Sequence, residues 1–178
     1  MIYLKEYKLF ENNFEESECV NTSREWCITI YEELKNIISD KQFFTNTYKK
    51  VEEKISSIPD PDRTNILNYQ YSKSSYTLLD LAISNNDNET IKVLLKYGSN
   101  PNISGEENAL FYFLYYAQFN TIIFKELVDR IDDITTQDED GIYIIDYLYK
   151  TNLEWFKNNY KDKYDLIIKK KNVKKFKI

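Results

Sequence analysis

Acidic residues are the only candidates for acid–base catalysis in this sequence, because it contains no histidine. A chain without histidine has no Ser-His or Cys-His pair, no imidazole metal ligand and no ordinary group that titrates near pH 7. Only three glycines are present, which excludes most phosphate-binding loops. The sequence therefore predicts a protein that is not an enzyme and that needs no cofactor or metal ion.

The remaining candidate ligands for a metal are acidic runs and two cysteines. Asp132-Asp133 and Asp138-Glu139-Asp140 lack the ligand spacing and the glycine of an EF-hand calcium loop. Cys19 and Cys27 are eight residues apart, which matches no zinc or redox motif. With no secretory signal in the sequence, we expect reduced thiols in a cytoplasmic protein, or one in the host cytosol if a pathogen or virus makes it.

Charge is unevenly distributed along the chain. The formal net charge is -5, but the last 18 residues alone sum to +6, so an acidic body precedes a basic tail. An acidic body repels nucleic acid, whereas the tail offers an alternative function, which is binding to nucleic acid or to an anionic membrane. The same lysines also suit a solvated helix end, where cations are favoured. The tail residues in question are Lys169, Lys170, Lys171, Lys174 and Lys175.

Two helices are predicted in the N-terminal region, residues 1–70. Residues 23–40 and 46–58 carry apolar side chains at helical spacing, and Pro59 and Pro61 should break the second helix. No apolar run approaches the roughly 20 residues that span a bilayer. The region is either a cap or a degenerate leading repeat, and the sequence leaves both interpretations open.

From residue 71 onwards the sequence repeats itself. A short helix is predicted to begin at Thr77, a second runs over residues 89–97, and Gly98 is placed to end it in a left-handed conformation. The equivalent apolar positions are Leu79, Leu110 and Ile145, which are 31 and 35 residues apart. Such a two-helix unit cannot bury its own apolar face, so it requires stacked copies.

The segment Thr77 to Asn102 resembles an ankyrin repeat, which has about 33 residues. Asp138 to Tyr143 resembles the hairpin turn that leads into such a repeat. The resemblance implies an all-α fold, namely an ankyrin-like solenoid of about three repeats over residues 71–160, with a helical N-terminal cap region and a basic C-terminal helix or tail at 161–178. Two family positions differ. Where the family prefers proline, this chain has Leu78, Ala109 and Ile144. Where the family prefers a histidine that hydrogen-bonds neighbouring turns to each other, it has Asp80, Phe111 and Asp146.

Binding of a partner protein through the concave surface is the function that this resemblance implies. The chain would then be a monomeric adaptor or inhibitor, for example a host-interaction protein of a pathogen or virus, or a neutraliser of a bacterial toxin. Tyrosines suit contacts because they present a large rigid face and a hydroxyl. The residues expected at this surface are Ser74, Tyr76, Ser84, Asn85, Glu106, Glu107, Tyr115, Tyr116, Glu139, Asp140, Ile142 and Lys150.

The tyrosines and the acidic loop residues among these also have a purely structural interpretation. The chain has 16 tyrosines, many of which must be half-buried packing residues, and the acidic loop residues can simply be solvated. The run Leu110 to Tyr116 is apolar all round, which favours a helix packed between neighbours. Asp80 and Asp146 lie two repeats apart, a separation that suits structural roles better than a shared catalytic site.

Overall fold

A computed structural model describes residues 24–40, 46–70, 76–103 and 108–175. Regular secondary structure within these ranges is helical, apart from one β-bridge between Gln137 and Tyr143, so the all-α fold class is confirmed. In chain order, the helices of the described ranges are α1 Arg24–Ser39, α2 Thr47–Ser56, α3 Asp60–Leu67, α4 Leu78–Ser84, α5 Asn88–Lys96, α6 Ala109–Tyr116, α7 Thr121–Arg130, α8 Ile144–Tyr147, α9 Lys150–Asn159 and α10 Lys161–Lys175.

Most of these helices lie in two rows. The first row consists of α1, α4, α6 and α8, and each of these helices contacts the next. The second row consists of α2, α5 and α7, which also contact one another in succession. Contacts between the rows join α1 to α2, α4 to α5 and α6 to α7. Each helix pair therefore packs on the preceding pair through both of its members.

The first helix follows directly from its apolar pattern. Cys27, Tyr31, Leu34 and Ile38 recur every three or four residues, which places them on one side of α1, and all four are buried. The helices predicted over residues 23–40 and 46–58 are confirmed to within two residues of their ends.

Helix α3 was not predicted, although the break after α2 is confirmed. Pro61 lies in the first turn of α3, where the backbone N–H that proline lacks has no helical partner to lose. Asp60 and Asp62 lie in the same turn, where the helix dipole favours negative charge. Arg63 then ties α3 to the end of α2 and to the turn after it, since its side chain donates to the carbonyl oxygens of Ile55 at 3.2 Å and Ile58 at 2.8 Å.

Side-chain caps begin two of the first-row helices, α4 and α6. The carboxylate of Asp80 accepts hydrogen bonds from the backbone N–H and the hydroxyl of Thr77, both at 2.8 Å, which closes a capping box. Asn108 caps α6 by accepting from two backbone N–H groups. The second helical positions of α4, α6 and α8 are Leu79, Leu110 and Ile145, and all three side chains are buried.

Gly98 terminates α5 as predicted. Its φ of +107° lies in a region that side chains disfavour. The N–H of Ser99 donates to the carbonyl of Leu94 at 3.0 Å, and the N–H of Gly98 donates to that of Leu95 at 3.4 Å. This bonding pattern is the Schellman motif, which satisfies the last carbonyls of the helix.

Two asparagines clamp the C-terminal ends of second-row helices. Asn68 donates to the carbonyl of Gly98 at 3.0 Å and accepts from the N–H of Asn100 at 2.6 Å. After α5, Asn102 donates to the carbonyl of Arg130 at 3.0 Å and accepts from the N–H of Asp132 at 2.9 Å. The same side-chain device therefore fixes the end of α5 and the end of α7.

Replacing Asn102 with alanine is expected to lower the free energy of unfolding by about 1–2 kcal/mol, because two hydrogen bonds between neighbouring units are lost. Asn102→Asp should lose at least as much, since its second oxygen would face the carbonyl of Arg130 at the negative end of α7. Urea denaturation measures both values. Asn159→Ala serves as a control, because Asn159 is exposed and bonds only within its own helix among the described residues. Equal losses for Asn102→Ala and Asn159→Ala would contradict the clamp.

Cys27 corrects one expectation from the sequence. It is fully buried on α1 and is disulfide-bonded, so the prediction of a reduced thiol is wrong for this residue. Cys19 lies outside the described residues. Disulfides are typical of oxidising compartments, so the thiols no longer support a cytoplasmic location. Within the described ranges, no helix combines the length and the apolar character needed to cross a bilayer.

Candidate functional site

Five tyrosines form a continuous aromatic surface on the first row of helices, here called the tyrosine face. The ring centroids of Tyr76 and Tyr112 are 5.1 Å apart, and those of Tyr112 and Tyr116 are 4.4 Å apart. Tyr115 continues the surface, at 6.1 Å from Tyr116 and 4.9 Å from Tyr147. Tyr76 is 56% exposed and Tyr116 is 59% exposed, so much of this aromatic surface contacts solvent.

Helix α6 supplies the centre of the tyrosine face because it lies between the two neighbouring first-row helices. It contacts α4 on one side, α8 on the other and α7 behind it. Phe111 and Phe113 are buried in these contacts, as expected for a helix packed between neighbours. Tyr112 and Tyr116 are one turn apart, so their rings lie next to each other on the helix surface. Tyr76 reaches them from the position just before the cap of α4.

Asp138 organises the other end of the tyrosine face. Its Oδ2 accepts hydrogen bonds from the hydroxyls of Tyr115, at 2.7 Å, and Tyr147. Its Oδ1 accepts from the backbone N–H of Ile142 at 2.7 Å, which closes a hairpin turn with Gly141 at a φ of +75°. Asp138 is only 8% exposed, so one buried carboxylate fixes two rings and the hairpin together.

The electrostatics of this cluster favour an ionised carboxylate and neutral phenols. Burial alone would raise the pKa of Asp138, but hydrogen bonds from Tyr147, the Ile142 N–H and Tyr115 outweigh burial and lower it. The hydrogen bond to Asp138 raises the pKa of Tyr147. Burial, together with the neighbouring Tyr76, raises the pKa of Tyr112. Such phenols offer rings and hydroxyls for contact rather than groups that exchange protons near pH 7.

The residues predicted from the sequence are only partly brought together. Tyr76, Tyr115 and Tyr116 belong to the tyrosine face, and Glu139 and Asp140 are exposed on the hairpin beside Asp138. Ile142 lies in the same hairpin and is half-buried. Three further predicted residues, Ser74, Glu106 and Glu107, lie outside the described residues.

The other predicted residues occupy different places. Asn85 donates to the carbonyl of Ile38 at 2.8 Å, which ties the end of α4 to α1. Ser84 is exposed and donates to the carbonyl of Leu81 within its own helix. Lys150 is exposed at the start of α9, beyond the hairpin. Tyr112, Tyr147 and Asp138 were not predicted as surface residues. The helical spacing of Tyr112 and Tyr116 was the available signal for the first of them.

The basic C-terminal helix α10 is attached to the acidic body through three lysines. Lys163 donates to the carbonyl of Val128 at 2.5 Å, near the end of α7. Lys170 donates to the hydroxyl of Thr135 at 2.6 Å and lies 3.7 Å from Asp133. Lys171 pairs with Asp146 at 2.7 Å. Lys169 is exposed, and the side chains of Lys174 and Lys175 lie outside the described part of the chain.

Asp80 and Asp146 occupy the third helical positions of α4 and α8, and each holds the start of its helix. Asp80 closes the cap of Thr77, whereas Asp146 accepts from the N–H of Tyr143 at 3.3 Å and from Lys171. Phe111, the equivalent residue of α6, instead packs its ring 6.3 Å from that of Tyr147.

One small cavity lies in the N-terminal region, between the end of α1 and the start of α2. Its volume is about 210 Å³, which is below the size of most small-molecule sites. The cavity is lined by Asn36, Ile37, Asp40, Thr47 and Lys50. Among the described residues, no group of three or more acidic residues or cysteines is arranged to hold a metal ion.

Comparisons with known proteins give no relative for this chain: no family, no curated protein and no solved structure matches it.

Proposed function

We propose that this chain is an ankyrin-like repeat protein that recognises a partner protein through its tyrosine face, as an adaptor or inhibitor, without catalysing a reaction. The observation that carries this proposal is the row of contacting rings from Tyr76 through α6 to Tyr147. These rings belong to three successive elements of the first row, and two of them are more than half exposed. Exposed, ordered aromatic side chains are enriched at protein interfaces and carry much of their binding energy.

The stacking of helix pairs supports the repeat interpretation. Capped helices begin at Thr77 and Asn108, buried residues occupy equivalent second positions, and the clamps at Asn68 and Asn102 recur from one unit to the next. Both helices of the pair α1–α2 contact the pair α4–α5, just as both helices of α4–α5 contact α6–α7. We therefore infer that residues 24–56 are a leading repeat unit.

We infer a structural role for α10. Ile167 is fully buried, and Lys163, Lys170 and Lys171 contact α7, the segment after it and α8. A helix held in this way covers the end of the stack, as terminal units of repeat proteins do. Phosphate binding by the tail would have to compete with these intramolecular contacts.

Affinity capture with the full chain tests the proposed function. The double variant Tyr76→Ala/Tyr116→Ala should recover a partner roughly tenfold less well than the wild type, because two exposed anchors are lost without disturbing the core. The matched control is Ile122→Ala/Tyr149→Ala, which removes two exposed apolar side chains outside the tyrosine face. Equal losses in both double variants, or full recovery by the tyrosine variant, would contradict the proposal.

A further inference from the structure

We propose that the segment recognised by the tyrosine face is rich in lysine or arginine. This inference rests on the proposed function and specifies the chemistry of the partner. Two independent features support it. The first is the distribution of charge between the two helix rows, and the second is the contact of the chain's own lysines with carboxylates and tyrosine rings.

Basic residues are absent from the first-row elements that bear the tyrosine face. Between Tyr76 and Tyr149 the sequence contains four basic residues, and all of them lie on the second-row helices α5 and α7. These four are Lys92, Lys96, Lys125 and Arg130. The helices α4, α6 and α8 and the hairpin before α8 instead carry five carboxylates. These five are Asp80, Asp138, Glu139, Asp140 and Asp146.

The hairpin carboxylates place negative charge beside the tyrosine face, and α4, α6, α8 and the hairpin contain no basic residue that balances it, whereas Asp146 is paired with Lys171 of α10. Asp138 is ionised at neutral pH, and Glu139 and Asp140 are exposed on the same hairpin. Complementary charge accelerates encounter and rejects partners of the same sign. An acidic or strongly anionic partner is therefore disfavoured at this surface, and a cationic one is favoured.

The chain itself shows how such a surface holds a cation. Lys171 lies 2.7 Å from the carboxylate of Asp146, and its ammonium lies 5.6 Å from the centroid of the Tyr143 ring. In the second row, Lys96 lies 2.7 Å from Glu52 and 5.0 Å from the ring of Tyr97. A tyrosine ring next to a carboxylate is thus a recurring lysine site within this fold, and Lys157 lies in the same way beside Glu154 and Tyr164. Cation–π attraction and charge pairing both contribute.

The tyrosine face presents the same combination to solvent. Tyr115 and Tyr147 are hydrogen-bonded to a carboxylate, and a phenol that donates to an anion keeps more electron density on its ring. Tyr116 packs against Tyr112 and Tyr115 and remains more than half exposed. A lysine or arginine side chain lying across Tyr116 reaches aromatic rings, with the acidic hairpin nearby.

Fluorescence anisotropy with the full chain tests this proposal. The probe is a fluorescein-labelled peptide of alternating arginine and serine, and the control peptide replaces arginine with glutamate. We expect the arginine peptide to bind at low salt and the glutamate peptide not to bind. Binding of the arginine peptide should weaken as salt is added. Tyr116→Ala should weaken binding roughly threefold to tenfold, whereas Tyr116→Phe, which keeps the ring, should retain it.

Charge variants separate a specific site from general attraction to an acidic protein. Glu139→Gln/Asp140→Asn removes two carboxylates from the hairpin and should weaken peptide binding by about tenfold. Glu89→Gln/Glu126→Gln removes two carboxylates from the second row and should leave binding within about twofold. Equal weakening by the two double variants would overturn the proposal.

Three other results would also overturn it. The first is preferential binding of the glutamate peptide. The second is a dimer of the chain, detected by sedimentation, that the Tyr116→Ala variant no longer forms. A second copy of the chain would then be the occupant of the tyrosine face. The third is failure of the arginine peptide to bind while the tyrosine variant still loses its captured partner. That last outcome would leave the proposed function intact and reject only the basic character of the partner.

Discussion

Replacing Phe124 with alanine is expected to lower the free energy of unfolding by about 3–5 kcal/mol, the usual cost of deleting a buried aromatic ring. Phe124 is fully buried on α7 and lies at the centre of an aromatic cluster. Its ring centroid lies 5.0 Å from that of Phe119, 5.9 Å from that of Phe156 and 6.1 Å from that of Trp155. One ring therefore joins the pair α6–α7 to α9, and its loss leaves a cavity between units.

Urea denaturation monitored by circular dichroism measures this loss. The control is Ile122→Ala in the same helix. Ile122 is exposed, so its truncation should change the free energy of unfolding by less than about 0.5 kcal/mol. A loss for Phe124→Ala no greater than that for Ile122→Ala would contradict the packing of α7 against α9.

Replacing Asp138 with asparagine is expected to cost about 2–3 kcal/mol at neutral pH. Asp138 accepts from Tyr115, Tyr147 and the N–H of Ile142, and hydrogen bonds to a charged acceptor are stronger than neutral ones. Asparagine keeps the size of the side chain but replaces one accepting oxygen with a donor. Depending on which oxygen is replaced, either both phenols or the hairpin N–H lose their acceptor.

The cost of this substitution should depend on pH in a defined direction. The pKa of Asp138 is lower in the folded protein than in the unfolded chain, so its ionised form stabilises the fold. That contribution is fully present above about pH 4, the ordinary range for aspartate, and is lost as pH falls through the folded value. The difference between wild type and Asp138→Asn should therefore shrink between neutral pH and about pH 3. A difference that stays constant would reject the role of the carboxylate charge.

Local patterns were sufficient to predict much of the fold. The buried stripe of α1, the break after α2 and the turn at Gly98 each depend on a few consecutive residues. The equivalence of Leu79, Leu110 and Ile145 needed only their spacing. Helix α3 was missed because Pro61 was interpreted as a helix breaker, whereas proline is also favoured in a first helical turn. The state of Cys27 was missed because the spacing of two cysteines does not determine their oxidation.

The candidate site was only partly predictable, because stacking assembles it from distant parts of the chain. Tyr76 and Tyr147 are far apart in sequence, and only contacts of α6 with both neighbours bring their rings into one surface. Tyr112 lies in an apolar run whose pattern favours core packing, and the sequence predicts only Tyr115 and Tyr116 of that run at the surface. Asp138 was considered as part of an acidic loop, since nothing in the sequence shows that two tyrosine hydroxyls converge on it.

Hydrogen exchange of the full chain, measured with and without the partner recovered by capture, tests the central claim most directly. If the tyrosine face is the binding surface, the partner should slow exchange in α4, α6 and the segment from Asp138 to Tyr147. Exchange in α5, α7 and α10 should remain unchanged. Slower exchange confined to the second-row helices or to α10, with none in α6, would contradict the account.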